Sequence, residues 1–201
     1  MSRDKLLVRR RPGDLETPVS AMLKLGADTP GTFLFESILG GERLGRYSFI
    51  GLHPQRWMRV LDGVGEASSS LEFTDAERVE GSAVEALRGF VEAGLADAGD
   101  ETDLPPMASG GFGYIGYDFI QHVEPVSITK PDALNVPEAL LMIPGVVLIF
   151  DHLYQELIMV GRHKPGDEAA AEALLDQVEN DLDRLPPLSP REGDDDELEF
   201  T

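Results

Sequence analysis

Ala139-Leu-Leu-Met-Ile-Pro-Gly-Val-Val-Leu-Ile-Phe150, then Asp151-His-Leu-Tyr154, then Glu156-Leu-Ile-Met-Val-Gly-Arg162 is the stretch on which the fold turns. Its first run is the longest apolar run in the chain, and Pro144-Gly145 interrupts it. It falls short of the roughly 20 apolar residues that a bilayer span requires. Two apolar runs with a short polar break between them read as paired strands, Leu140–Phe150 and Glu156–Arg162.

Working outward, more strands follow one another through short turns. Thr32–Ser37, Tyr47–Leu52, Arg56–Leu61 and Ala67–Phe73 are expected strands, with His53-Pro54 and Asp62-Gly63 as punctuation. Alternation in the first of them puts Phe33 and Phe35 on one side and Leu34 and Glu36 on the other. Gly110–Tyr114 reads as extended, Tyr117–Val123 as a short helix, and Ala96–Met107 and Ile128–Val136 as loops.

Three helices stand out. Thr17 as N-cap and Pro18 at the first helical position start one, with Val19, Met22 and Leu23 on one face and Gly26 as its stop. Ser82-Ala-Val-Glu85 has the form of a capping box and opens Ser82–Leu95, where Val84, Leu87, Phe90, Val91 and Leu95 recur at helical spacing. Asp167 is the expected cap of the last helix, whose stripe is Ala171, Leu174, Leu175, Val178 and Leu182, and Pro186-Pro187 ends it. Helices do not alternate regularly with strands. The pattern is therefore α+β with antiparallel sheets and packed helices, not a doubly wound sheet.

The chain has 201 residues, enough for one substantial domain, and 42% of them are hydrophobic, which supports a packed core over general disorder. The formal net charge of −20 repels phosphate backbones and argues against a nucleic-acid partner. Part of that charge is local: Arg191–Thr201 holds six acids against one base and reads as a solvated linker. The expected division is thus a domain over 1–188 and an acidic linker over 189–201. The absence of cysteine excludes disulfides, thiolate zinc sites and a cysteine nucleophile. Nothing reads as a secretory signal or a membrane span, and the expected location is the cytoplasm.

Gly111-Phe-Gly-Tyr-Ile-Gly116 matches G-x-G-x-x-G, but Pro105–Gly110 ahead of it is no core strand. The glycines therefore read as close-packing positions in a strand rather than a phosphate cradle. His53, His122, His152 and His163 show no metal-ligand spacing and read as surface or loop residues. Asp118 and Glu124 are a pair that chance supplies among 37 acids.

Glu36 and Ser37 differ in kind. They end an apolar strand, and a buried unpaired carboxylate is costly, so Glu36 must meet water, an arginine or a cationic ligand. Arg43 and Arg46 in the following loop offer a rim salt bridge. The other reading is a small amphipathic ligand, with its ammonium on Glu36, a hydrogen bond at Ser37 and aromatic neighbours around its apolar body.

Four stretches together resemble a known family. They are Thr17–Leu25, Phe33-Leu-Phe-Glu-Ser37, Gly40-Gly-Glu-Arg-Leu-Gly-Arg-Tyr-Ser-Phe-Ile-Gly51 and Gly110-Gly-Phe-Gly-Tyr-Ile-Gly-Tyr-Asp118. Their order and spacing are similar to the N-terminal domain of anthranilate synthase component I, from about Leu15 to about Leu185. The resemblance implies an α+β sandwich of antiparallel sheets. It implies conversion of chorismate to anthranilate and pyruvate, with Mg²⁺ and with ammonia from a glutamine amidotransferase subunit. It places the catalytic residues in a later region, so this stretch alone is expected to be inactive and to bind no metal. It assigns most of a feedback site for L-tryptophan to this part, carried by Phe35, Glu36, Ser37, Tyr47 and Ser48. The aminodeoxychorismate synthase component of folate synthesis, and a stand-alone amino-acid-binding fragment, are the alternatives.

Overall fold

A computed structural model describes residues 3–36, 45–128 and 135–185. In chain order the elements are β1 (Lys5–Pro12), α1 (Pro18–Lys24), β2 (Phe33–Phe35), β3 (Tyr47–Leu61), β4 (Val64–Ser68), β5 (Glu77–Arg78) and α2 (Ala83–Gly94). Then come β6 (Phe112–Ile115), a 3₁₀ helix (Tyr117–His122), β7 (Ala139–Asp151), β8 (Glu156–His163) and α3 (Glu168–Leu182). The eight strands form one sheet in the order β1-β8-β7-β3-β4-β5, with β2 added to β3 and β6 to β7. All named strands pair antiparallel, as expected of the α+β class.

The spine is β3 against β7, in register from Tyr47 opposite Asp151 to Val60 opposite Ala139. Side chains from this pair feed three cores. Ile50, Leu52, Val146 and Leu148 pack with β8 under α1 and α3. Met58, Val60, Leu141 and Ile143 pack under α2. Phe49, Val147 and Ile149 pack with Ile158 and Val160 beneath Leu104 and Ala108. The expected hairpin β7–β8 is present, and β7 is apolar because neither of its faces meets water.

Several elements depart from the sequence reading. His53-Pro54 does not end a strand: β3 runs through it, with His53 at φ 53° and a register irregularity between Pro54 and Arg56. This is a bulge that bends the strand and accommodates a residue without an N–H. Asp62 and Gly63 form the expected turn, both at positive φ, as a two-residue hairpin between right-twisted strands demands. The strand after it is Val64–Ser68 rather than Ala67–Phe73. The chain leaves the sheet there because Asp75 captures the serines. Its carboxylate accepts from Ser68 Oγ, Ser69 Oγ and Ser69 N–H, which draws its pKa down to about 2.

β1 is missed by the sequence reading because its charge disguises it. It pairs with β8 from Lys5 opposite His163 to Pro12 opposite Glu156. Arg9 meets Asp176 at 2.6 Å and Glu179 at 2.7 Å, and Arg11 meets Asp183 at 3.0 Å, so the arginines hold the acidic side of α3.

The helices keep their caps but rotate their inward faces. Thr17 and Ser82 both close capping boxes. In α1 the buried residues are Pro18 and Ala21, while Val19 and Leu23 sit half in solvent. In α2, Ala83, Ala86, Leu87, Phe90 and Gly94 face inward, and Val91 and Leu95 lie at the rim. Small residues bring α2 close to the sheet; a Cβ on Gly65 would stand 2.6 Å from the Ala86 Cβ. In α3 the expected stripe faces the core, but Asp167 sits at the cap position without a side-chain capping bond. His163 is buried and His122 half-buried, against the expected surface placement. Pro186-Pro187 and the acidic run 189–201 lie outside the described residues.

Candidate functional site

β2 brings the Glu36 segment to the start of β3. Phe33 lies opposite Gly51 and Phe35 opposite Phe49, so Glu36 arrives level with Ser48. The two sides of this corner differ. Phe33, Phe49 and Tyr47 pack in one core, while Leu34 and Ile50 pack in another, under α1 and α3. By the alternation of the strand, Ser48 belongs to the side of Leu34.

The Phe35 side is aromatic. Its ring lies 4.7 Å from Phe33 and 6.2 Å from Phe112. A cavity of about 310 Å³ opens there, lined by these rings with Trp57, Tyr114 and Met142. Gly113 forms part of its wall, and only glycine fits: a Cβ there would lie 2.0 Å from the Leu140 carbonyl oxygen. This is the close approach expected of the Gly111–Gly116 run.

Glu36 is exposed, so its carboxylate keeps its hydration. Arg46 does not return to it. The Arg46 guanidinium donates instead to Asp151, with Nε at 3.1 Å and Nη2 at 2.8 Å from Oδ2. It stacks between two rings, 4.7 Å from the centre of Tyr47 and 5.0 Å from that of Tyr154. Asp151 is buried, which disfavours its charge, yet hydrogen bonds from Arg46 and from the amides of Tyr154 and Leu153 outweigh burial and hold its pKa below the usual carboxylate value. Arg43 and Ser37 lie outside the described residues.

Ser48 is fully buried, and its hydroxyl is 2.8 Å from His152 Nε2. His152 is exposed, and its backbone N–H donates to the Arg46 carbonyl at 2.9 Å. Its ring stacks on Phe150 at 6.4 Å and 17°. The start of β3 is therefore fastened to the β7–β8 turn by an ion pair, a backbone bond and a serine–histidine bond. The candidate residues divide: Tyr47 and Phe35 present to the aromatic side, Ser48 lies behind the other side, and Glu36 stands at the edge. Sequence reading missed His152. The turn Asp151–Tyr154 was visible, but its partner lies 104 residues away.

The other end of β3 is fastened differently. Glu138, just ahead of β7, accepts from Gly63 N–H at 2.9 Å and Gln121 Nε2 at 2.8 Å, and lies 3.0 Å from His122 Nε2. Among the described residues, no group of three or more histidine, cysteine or carboxylate side chains gathers to hold a metal ion. No helix among the described residues is long and apolar enough to cross a membrane.

The chain matches curated proteins over most of its own length. It is 35% identical over 195 residues to anthranilate synthase component 1 of Cereibacter sphaeroides, covering 92% of this chain and 38% of that protein. It is 40% identical to the Thermus thermophilus protein of the same name, covering 79% and 32%, and 39% identical to that of Pseudomonas putida, covering 90% and 36%. The chain thus spans about a third of the length of these relatives. Anthranilate synthase component I from Streptococcus pneumoniae shares the fold, with a TM-score of 0.58 and 17% identity over 88% of this chain and 37% of that one. No family model matches the chain.

Proposed function

The chain belongs to the anthranilate synthase component I family, and on that premise we propose that it is the N-terminal, regulatory part and carries a feedback site for L-tryptophan. The observation that carries this reading is the β2–β3 pairing, which brings Phe35 and Glu36 beside Tyr47 and Ser48 in a chain of this family. Glu36, hydrated and anionic, suits the ligand's ammonium. Phe35 and Tyr47 offer flat apolar surface to an indole. Ser37 belongs to the polar end.

Titration calorimetry with tryptophan tests the site. Glu36→Ala and Ser37→Ala are expected to weaken binding about tenfold each, the worth of one charge-assisted hydrogen bond. Equal affinity in wild type and both variants removes these residues from the site.

Within the longer protein, the proposed reaction is conversion of chorismate to anthranilate and pyruvate, with Mg²⁺ and with ammonia from a glutamine amidotransferase partner. These 201 residues alone make no anthranilate in this reading. Anthranilate fluorescence from the purified chain with chorismate, Mg²⁺ and ammonium would overturn it.

A further inference from the structure

We infer that this chain is built to fold in molar monovalent salt, and that its carboxylate surface fits the hydrated cations of such a solvent. The formal net charge is −20 on 201 residues. Setting aside the run Arg191–Thr201, with its six acids against one base, still leaves −15. The charge therefore belongs to the domain and not only to that run. A net charge of this size opposes compaction by self-repulsion, and dissolved ions relieve it.

The bases do not cancel it locally. Arg9, Arg11, Arg59, Arg162 and Arg184 each already face a carboxylate. Among the described residues no base stands within ion-pair distance of Glu72, Glu77, Glu80, Asp100, Asp118 or Glu172, and all six are exposed. They are scattered, from the neighbourhood of β5 at one edge of the sheet, through the 3₁₀ helix, to α3 over β8 near the other. A basic macromolecule would require the charge gathered on one face. Scattered carboxylates suit small mobile ions, and among the described residues no group of them gathers to fix one ion in place.

Helix α3 shows the repulsion at close range. Glu168, Glu172 and Asp176 follow one another at i, i+4, a spacing that destabilises a helix when the charges are alike. Its last turn holds no base, and Asp181 and Asp183 stand at the end where the helix dipole is already negative. Arg9, Arg11 and Arg184 offset part of this, as does Lys24, which donates to the Leu182 carbonyl at 2.7 Å. Yet α3 must stay docked, because Leu175, Val178 and Leu182 belong to the core. Salt weakens the arginine pairs as well as the repulsion. Acids outnumber bases here, so the net effect of screening is to hold α3 down.

Thermal melts of the full 201-residue chain, followed by circular dichroism, test this in KCl from about 0.05 M to about 2 M. Tm is expected to rise by about 10 °C or more, mostly below about 1 M, where the Debye length has shrunk to about 3 Å. A variant carrying Glu72→Gln, Glu77→Gln, Glu80→Gln, Asp100→Asn, Asp118→Asn and Glu172→Gln is expected to melt above wild type at low salt and to gain less from KCl. An equal gain in wild type and variant means that KCl acts on apolar burial alone, and overturns the inference. So does a Tm that stays flat or falls with salt, or a chain that stays unfolded at the highest KCl concentration.

Discussion

The same two strands, β3 and β7, are fastened at both ends by a polar group, and the two fastenings do different work. At the far end Glu138 takes hydrogens from the Gly63 amide and Gln121 and pairs with His122, whose ring sits edge-on to Phe119. Its donors come from the β3–β4 turn and the 3₁₀ helix, so the carboxylate is a structural pin. At the near end Asp151 is also saturated, by Arg46 and two amides, but its neighbour His152 is turned outward with a serine behind it. One end closes on itself. The other presents an oriented polar edge to solvent. Burial of the histidine separates them better than the count of hydrogen bonds does.

Three substitutions sharpen the contrast, in falling order of effect on stability. Asp151→Ala is expected to cost about 3 kcal/mol, since it removes a buried acceptor and strands two amides as well as Arg46. Because the folded-state pKa of Asp151 is depressed, its contribution is present above the unfolded carboxylate pKa and fades as pH falls through the folded value. Urea melts should therefore show wild type losing more stability than Asp151→Asn below about pH 4. A parallel pH dependence in the two proteins would deny Asp151 this role. Glu138→Ala is expected to cost about 2 kcal/mol by the same melts, with Gly63 and Gln121 left without their acceptor. His152→Ala is expected to cost about 1 kcal/mol, because it leaves the buried Ser48 hydroxyl without its partner. A large loss of stability there would make the near end a pin like the far one.

The fold was legible where burial alone shapes the sequence. β7 and β8 are apolar on both faces between their ends, with charge only at Asp151, Glu156 and Arg162. The capping boxes at Thr17 and Ser82 were legible because a cap is a local contract between residues three apart. β1 was not, because its arginines answer to α3, more than 160 residues away. β3 read as two strands because a proline signals a break locally, while the sheet around it tolerates a bulge. The candidate site divides the same way. Glu36 stood out as a carboxylate that ends an apolar strand, while Phe35, Tyr47 and Ser48 came from the resemblance to the family. The burial of Ser48 and the presence of His152 depend on pairing between distant strands, and periodicity carries no trace of it.

The pairing of β1 with β8 has a consequence in time. The ladder joins Lys5 to His163, so β1 is made long before the strand it pairs with. Until β8 emerges, β1 must wait without its partner, and long-range pairings of this kind are slow to form. Three consecutive arginines, Arg9 to Arg11, keep the waiting strand hydrated and repel a second nascent copy. The residues that later grip α3 and Glu156 thus first serve as a guard against premature pairing.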